Sequence, residues 1–538
     1  MNIKSEGSFY TPTVLANFLM SESLSFFHDT EGISILEPSC GDGVFLAALL
    51  EDKKGAKNVN SIYAVEKNMK ELKKAKTTRK ELIDNGIIPS YFVADFLNFK
   101  PKGSTKFELI IGNPPYIHKK HLSSEQIEQS KEILELKGIK NTSISNIWIS
   151  FVVKAIDMLK DNGVLCYILP SEMLQVKYAK EIRRLLFCEF DEITFLTFSE
   201  KIFTDIEQDV IVLICKRKSE NKVIKHGSLT RERDSFKIEY RTISPKSYFQ
   251  DKWLWYLLKQ EEVASIKKIL DQFTKINDLC ESGAGIVTGN NDYFIVSKSS
   301  IKKYGLQKYC KPILKKSFFI KDTIIIRENE FRKISDKELP CYLIDLNRIK
   351  SNRMPKRIKE YIAKGELEDV HKGYKCNIRP EWYKVPSIWS SEGVFFKRSH
   401  LYPKILYNEC GAFITDTGYR IKMKESVSIK NLVFCFYNSL TLLLAELNGR
   451  NYGGGVLEVT PKEFQNLRLP FYDAGEILFE QLQQRFSSGV PIEDILDFTD
   501  RVILHQQFDI SMETIQMIKN VRKTLLINRL PNGYNSPE

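Results

Sequence analysis

Histidine is scarce in this chain, seven in 538 residues, and its ten cysteines never cluster. Cys40, Cys166, Cys188, Cys215, Cys280, Cys310, Cys341, Cys376, Cys410 and Cys435 all lie 22 or more positions apart. Cys-x-x-Cys pairs and Cys/His ligand spacings are therefore missing, so neither a zinc module nor a disulfide scaffold is expected, and no metal is assigned. Long apolar runs are missing too. Residues 431–447 come nearest, but Asn438, Ser439 and Thr441 interrupt them, which reads as a buried helix rather than a membrane span. The first ten residues, MNIKSEGSFY, hold no apolar signal-peptide core. A reduced, cytoplasmic protein with no membrane partner is the expectation. With 43% apolar and 28% charged residues the composition is globular, and the length suits two or three domains.

Charge is spread unevenly. The net value is +12, yet residues 251–470 alone carry 38 basic against 25 acidic side chains, a surplus of 13. A basic excess confined to one region favours a polyanionic partner, because neutralising phosphates releases condensed counterions. Residues 1–216 alternate β-branched runs with amphipathic stretches. Strands are expected at 33–36, 61–65, 91–94, 107–111, 163–169, 192–198 and 210–215, with helices at 44–52, 68–85, 146–160 and 172–187. That rhythm predicts an α/β fold, a doubly wound, seven-stranded, mostly parallel sheet whose last strand is an antiparallel edge. Residues 118–142, polar and charged, read as an inserted or mobile loop. The expected divisions are a catalytic domain over 1–220, a linker over 221–250, a mixed α+β domain over 251–470, and a helical C-terminal segment over 471–538.

The chemistry gathers at the ends of the first four strands. Leu36-Glu37-Pro38-Ser39-Cys40-Gly41-Asp42-Gly43 leaves the first strand and opens a helix, with Gly41 and Gly43 letting the backbone approach a ligand. A Gly-x-Gly here would serve any nucleotide. Glu37, however, would repel a pyrophosphate and suits a cationic group such as the amino group of S-adenosylmethionine (AdoMet). Glu66 ends the second strand, where a carboxylate can hold both ribose hydroxyls. Asp95 and Phe96 follow the third strand, placed for an adenine amino group and ring face.

The fourth strand ends in Asn113-Pro114-Pro115-Tyr116. Two prolines stop the ladder and stiffen the turn. Asn113 and the Pro114 carbonyl are then fixed acceptors for the two hydrogens of an exocyclic amino group. Accepting both localises a lone pair otherwise delocalised into the ring and aims it at a sulfonium methyl. Tyr116 would stack on the planar substrate.

Together with Tyr10-Thr11-Pro12 ahead of the first strand, these motifs resemble the γ-class DNA N6-adenine methyltransferases of restriction-modification systems. The resemblance implies AdoMet as cofactor, with Tyr10, Thr11, Pro12, Glu37, Pro38, Ser39, Gly41, Gly43, Glu66, Asp95, Phe96 and Asn113 around it. It implies that Asn113, Pro114, Pro115 and Tyr116 form the catalytic turn, and that Phe203 stacks on a flipped adenine opposite Tyr116. It implies double-stranded DNA as substrate, a target-recognition domain over 251–470, and a separate cognate endonuclease as a possible companion to a monomeric enzyme. Residues 285–291 and 452–458 resemble the glycine-rich opening and the closing segment of that domain. Arg450, Asn451, Tyr452, Lys397 and Arg398 are its DNA-contact candidates. The same turn also serves methylation of an RNA guanine or a protein glutamine amide, which is the alternative reading. A basic region of this length after the turn favours DNA.

Overall fold

A computed structural model describes residues 10–139, 144–198, 210–219, 222–233, 235–243, 252–350, 353–452 and 454–530. Contacts divide the chain into two compact units, residues 1–260 with 452–454, and residues 261–451 with 455–538.

The first unit is organised by one mixed sheet in the order β3-β2-β1-β4-β5-β7-β6-β8-β9. Its strands are β1 (Ile33–Glu37), β2 (Val59–Glu66), β3 (Ile88–Val93), β4 (Phe107–Gly112), β5 (Leu159–Pro170), β6 (Glu192–Phe198), β7 (Val210–Lys216), β8 (Val223–Glu232) and β9 (Ser235–Ile243). The strands β3, β2, β1, β4 and β5 are mutually parallel. Every residue of β4 is buried, as is nearly every residue of β1, and helices such as Thr13–Leu24, Val44–Glu51 and Trp148–Met158 accompany them. Strands covered on both faces need apolar side chains in both directions, which is why these segments read as unbroken Ile/Leu/Val runs.

Four expectations need correction. The sheet has nine strands rather than seven. Strand β7 is antiparallel, but it lies between β5 and β6 instead of at an edge, pairing with both. Residues 223–243, expected as linker, form the antiparallel pair β8–β9, and β8 joins β6 in parallel. The polar faces of that ribbon hid its alternation: β9 keeps only Phe236 buried along its length. The supposed loop at 118–142 also contains a helix, Ser124–Glu135, opened by a capping box in which Ser123 and Gln126 satisfy each other's backbone N–H groups.

The second unit holds a four-stranded antiparallel sheet (Cys280–Ala284, Gly418–Met423, Gly393–Phe396, Ile405–Tyr407) and a second four-stranded sheet of short strands. The apolar stretch near 431–447 is two buried helices, Ile429–Phe436 and Ser439–Asn448, split where Asn438 caps the second. The C-terminal segment is no separate tail within this unit. Its last helix, Met512–Arg529, packs on Ser439–Asn448 and is locked there by a buried ion pair, Arg529 Nη2 to Glu446 Oε1 at 2.6 Å. No described helix is long and apolar enough to cross a membrane.

Candidate active site at the carboxyl edge of the sheet

Strand order reverses between β1 and β4, and in open α/β sheets that switch point opens a crevice at the carboxyl ends of the strands. Here the crevice is a cleft of about 440 Å³. Gly112 ends β4 so close to the β1 loop that a Cβ on it would touch Pro38 at 3.4 Å, and Ser39 Oγ donates to the Asn113 carbonyl at 3.2 Å. The two loops carrying the strongest motifs are thus pinned together.

Of the residues singled out in the sequence, Tyr10, Pro38, Ser39, Gly41, Glu66, Asp95, Phe96, Asn113 and Pro115 line the cleft. Gly41 has φ +53° and open space where a Cβ would stand, the condition for close approach of a ligand. Glu66 accepts from Gly41 N at 3.0 Å and Asn68 N at 2.7 Å. It therefore shapes the glycine loop while lining the cleft, and two carboxylate oxygens retain lone pairs beyond these bonds. Asp95 Oδ1 accepts from Leu97 N, and Asp95 Oδ2 accepts from Lys67 Nζ at 3.0 Å and Gln126 Nε2 at 2.9 Å. The Phe96 ring is packed against Phe151 and lies 5.1 Å from the Lys154 ammonium, which donates to the carbonyls of Phe96 and Leu97. Burial pushes the Lys154 pKa down to about 8.

Other expectations are placed elsewhere. Gly43 does not line the cleft. It caps the helix Val44–Glu51 with φ +92°, and a Cβ there would lie 2.8 Å from Ala75 Cα, so helix packing and not a ligand requires glycine. Pro12 caps the helix Thr13–Leu24. Pro114 is buried, and so is Tyr116, 8% exposed. The Tyr116 ring belongs to the core, and its hydroxyl stands 2.8 Å from Asn113 Oδ1 and 3.0 Å from the Ile168 carbonyl. Burial holds that phenol well above its ordinary pKa, so it stays a donor. Thr11 is buried as well, and its Oγ1 accepts from Asn113 Nδ2 at 3.2 Å. Thr11 and Tyr116 thus grip opposite ends of the Asn113 amide and hold its plane at the cleft edge. Phe203 lies outside the described residues.

Glu37 ends β1 next to the cleft-lining Pro38 without lining the cleft itself; it is 1% exposed, and its Oε2 has no hydrogen-bond partner among the described residues. Burial, then the neighbouring Glu66 and Asp42 charges, hold its carboxyl well above the usual range. A buried carboxylate oxygen without a donor is costly, and a cationic ligand removes the cost.

The sequence reading missed Lys67, Asn68, Glu71, Ile117, His121, Gln126, Ile147 and Phe151, which together with Ala94 of the Ala94-Asp95-Phe96 motif complete the lining. The Ser123-x-x-Gln126 capping box was the available signal for the helix that brings Gln126 to Asp95. Among the DNA-contact candidates, Arg398 pairs with Glu458 at 2.5 Å and Arg450 with Glu463 at 3.2 Å, while Lys397 is half-buried. No group of three or more His, Cys, Asp or Glu suited to a metal occurs among the described residues.

Residues 25–203 match the family described as Eco57I restriction-modification methylase, and residues 250–504 match the C-terminal domain of Type II methyltransferase M.Eco57I. The chain belongs to the restriction-modification DNA methyltransferases. Its cofactor is S-adenosylmethionine. Among relatives of this family, Type II methyltransferase M.AccI of Acinetobacter calcoaceticus is 26% identical over 466 residues, covering 80% of this chain and 79% of that one. M.HindII of Haemophilus influenzae is 26% identical over 309 residues, 54% of this chain and 55% of its own length. The fold is shared with the Type IIL restriction-modification enzyme MmeI, solved in complex with DNA, at a TM-score of 0.54 and 12% identity over 97% of this chain and 73% of that one. The residues present suit the methylase cofactor: the unpartnered Glu37 oxygen would take an ammonium, the Glu66 carboxylate would take ribose hydroxyls, and Gly41 leaves open space beside them.

Proposed function

We propose that this methylase is a site-specific adenine methyltransferase, moving the methyl group of AdoMet to the N6 nitrogen of an adenine in double-stranded DNA. The observation that carries the reading is the Asn113 amide at the cleft edge, its nitrogen committed to Thr11 and its oxygen oriented by Tyr116. That carbonyl oxygen is the acceptor the reading assigns to an incoming amino hydrogen. An adenine inside a duplex cannot reach such a turn; it must leave the stack, at a cost of about a few kcal/mol.

AdoMet, when bound, supplies an electrophilic methyl on a sulfonium. The protein does the rest by placement. Asn113 accepts one amino hydrogen, and the backbone of the rigid Pro114–Pro115 turn is the candidate for the other, so the nitrogen lone pair points at the donor. Bound AdoMet would give its methyl carbon to that nitrogen as the bond to sulfur broke, and the surplus amino proton would leave to water. Because no proton must depart first, no general base is needed at the nitrogen. The basic surplus of residues 251–470 favours DNA over an isolated amide.

Expression in a host free of adenine methylation, followed by sequencing that detects modified bases, tests this. Intact protein should leave N6-methyladenine at one short sequence motif, and Asn113→Ala should abolish it. Unmodified DNA, or methylcytosine instead, contradicts the assignment.

A further inference from the structure

Trp389 is 40% exposed, whereas Trp148, Trp253 and Trp255 are buried and Trp382 is packed among Tyr293, Phe294 and Tyr383. It lies in the second unit over the Arg420 guanidinium, whose carbon is 3.8 Å from the ring centroid. Arg420 is only 8% exposed and has no ion pair among the described residues. Its Nε donates to the Ala284 carbonyl at 2.9 Å and its Nη1 to the Ser387 carbonyl at 2.8 Å. Ser387 is held at φ +59°, a conformation non-glycine residues rarely adopt. A strained residue, a buried cation and two backbone bonds therefore combine to hold one aromatic ring partly in water.

The ring does not stand alone. Arg420 bonds the backbone at the mouth of the glycine-rich turn 285–291, and Arg379 donates from the other side to the Val287 carbonyl at 3.0 Å. A Cβ at Gly289 would touch Cys376 Sγ at 2.8 Å and Lys375 Cβ at 3.1 Å, so the turn is seated on the segment 374–379. Val287 within the turn and Tyr374, Ile378 and Trp389 outside it are all exposed, and Lys375 and Arg379 contact the turn from the segment 374–379. Acids beside this turn include Asp292, paired with Lys315 at 2.7 Å, Glu381, paired with Lys384, and the exposed Asp416. Apolar rings amid fixed cations suit a ligand that is flat and anionic at once, as a strand of nucleic acid is.

We propose that Trp389, braced from below by Arg420, stacks its outer face on a base that the protein unstacks from the DNA duplex, and is the principal aromatic contact of the target-recognition unit. This rests on the DNA reading above. A planar ring already fixed on one side loses little entropy on binding, and the cation beneath it leaves the opposite face available to any base.

The test uses the full chain and, as probe, a mixed-sequence genomic duplex of several hundred base pairs. AdoMet affinity by calorimetry serves as the control for folding. Duplex should quench the tryptophan fluorescence of the wild type, and Trp389→Phe should lose most of that quenching while keeping most of the affinity. Trp389→Ala should bind the duplex about tenfold more weakly or worse, with AdoMet affinity within twofold of wild type. Arg420→Met, which keeps bulk but removes the brace, should fall between the two. Wild-type affinity in Trp389→Ala, in a preparation that methylates DNA, overturns this proposal alone. A wild-type chain that binds the duplex but transfers no methyl group overturns the functional reading and leaves the stacking result standing.

Discussion

Asn113 is informative because its amide is not free to turn. Thr11, 102 residues away in sequence, and Tyr116, three residues away, bind its two ends. Tyr116 was expected to stack on the substrate, yet its ring is buried and its hydroxyl faces Asn113. The two roles separate under one substitution. Tyr116→Phe keeps an aromatic face and removes only the hydroxyl, so an orienting role predicts a fall in kcat of about tenfold or more with little change in the KM for DNA. Unchanged kcat would return Tyr116 to stacking. Glu37 offers a second residue-scale test. Its carboxyl titrates well above the ordinary range, so the free protein holds a proton there at pH values where a bound ammonium favours the carboxylate. AdoMet affinity should therefore strengthen as pH rises through that range, with a proton released on binding, and Glu37→Gln should remove this pH dependence. Calorimetry in two buffers of different ionisation enthalpy reads the released proton directly.

At the scale of elements, the parallel half of the sheet was legible because its strands are buried on both faces and leave unbroken apolar runs such as 107–112. The site followed from it, since each of the first four strands ends in a distinctive polar residue or loop. Strands β8 and β9 were not legible: their ribbon is half solvated and its charges mask the period of two. The position of β7 was equally hidden, because adjacency in sequence favours a hairpin edge while pairing with both β5 and β6 is a tertiary outcome. Gly43 shows a right residue with a different reason. It was read as a place for ligand approach, but it is the point where the helix Val44–Glu51 begins against Ala75. Gly43→Ala combines an unfavourable φ with backbone overlap and should cost about 2 kcal/mol or more of stability. Thermal unfolding should show the loss without AdoMet present; a melting temperature equal to wild type would return Gly43 to a ligand role.

The molecule as a whole divides its work between two units of comparable size. The first holds the cleft, and the second carries the basic surplus together with the glycine turn at 285–291 and the exposed Trp389. Composition foresaw that asymmetry but could not say which side chains are available, because ion pairing decides it: Arg398 and Arg450 are matched to acids, while Arg420 is spent on holding Trp389. The family matches follow the same division, one for each part of the chain. The most direct test of the account is nucleoside analysis after purified protein is incubated with methyl-tritiated AdoMet and unmodified genomic duplex. The account predicts tritium in N6-methyldeoxyadenosine, lost by at least about a hundredfold in Asn113→Ala while AdoMet affinity stays near wild type. Tritium in a cytosine derivative, or equal incorporation by Asn113→Ala, would contradict it.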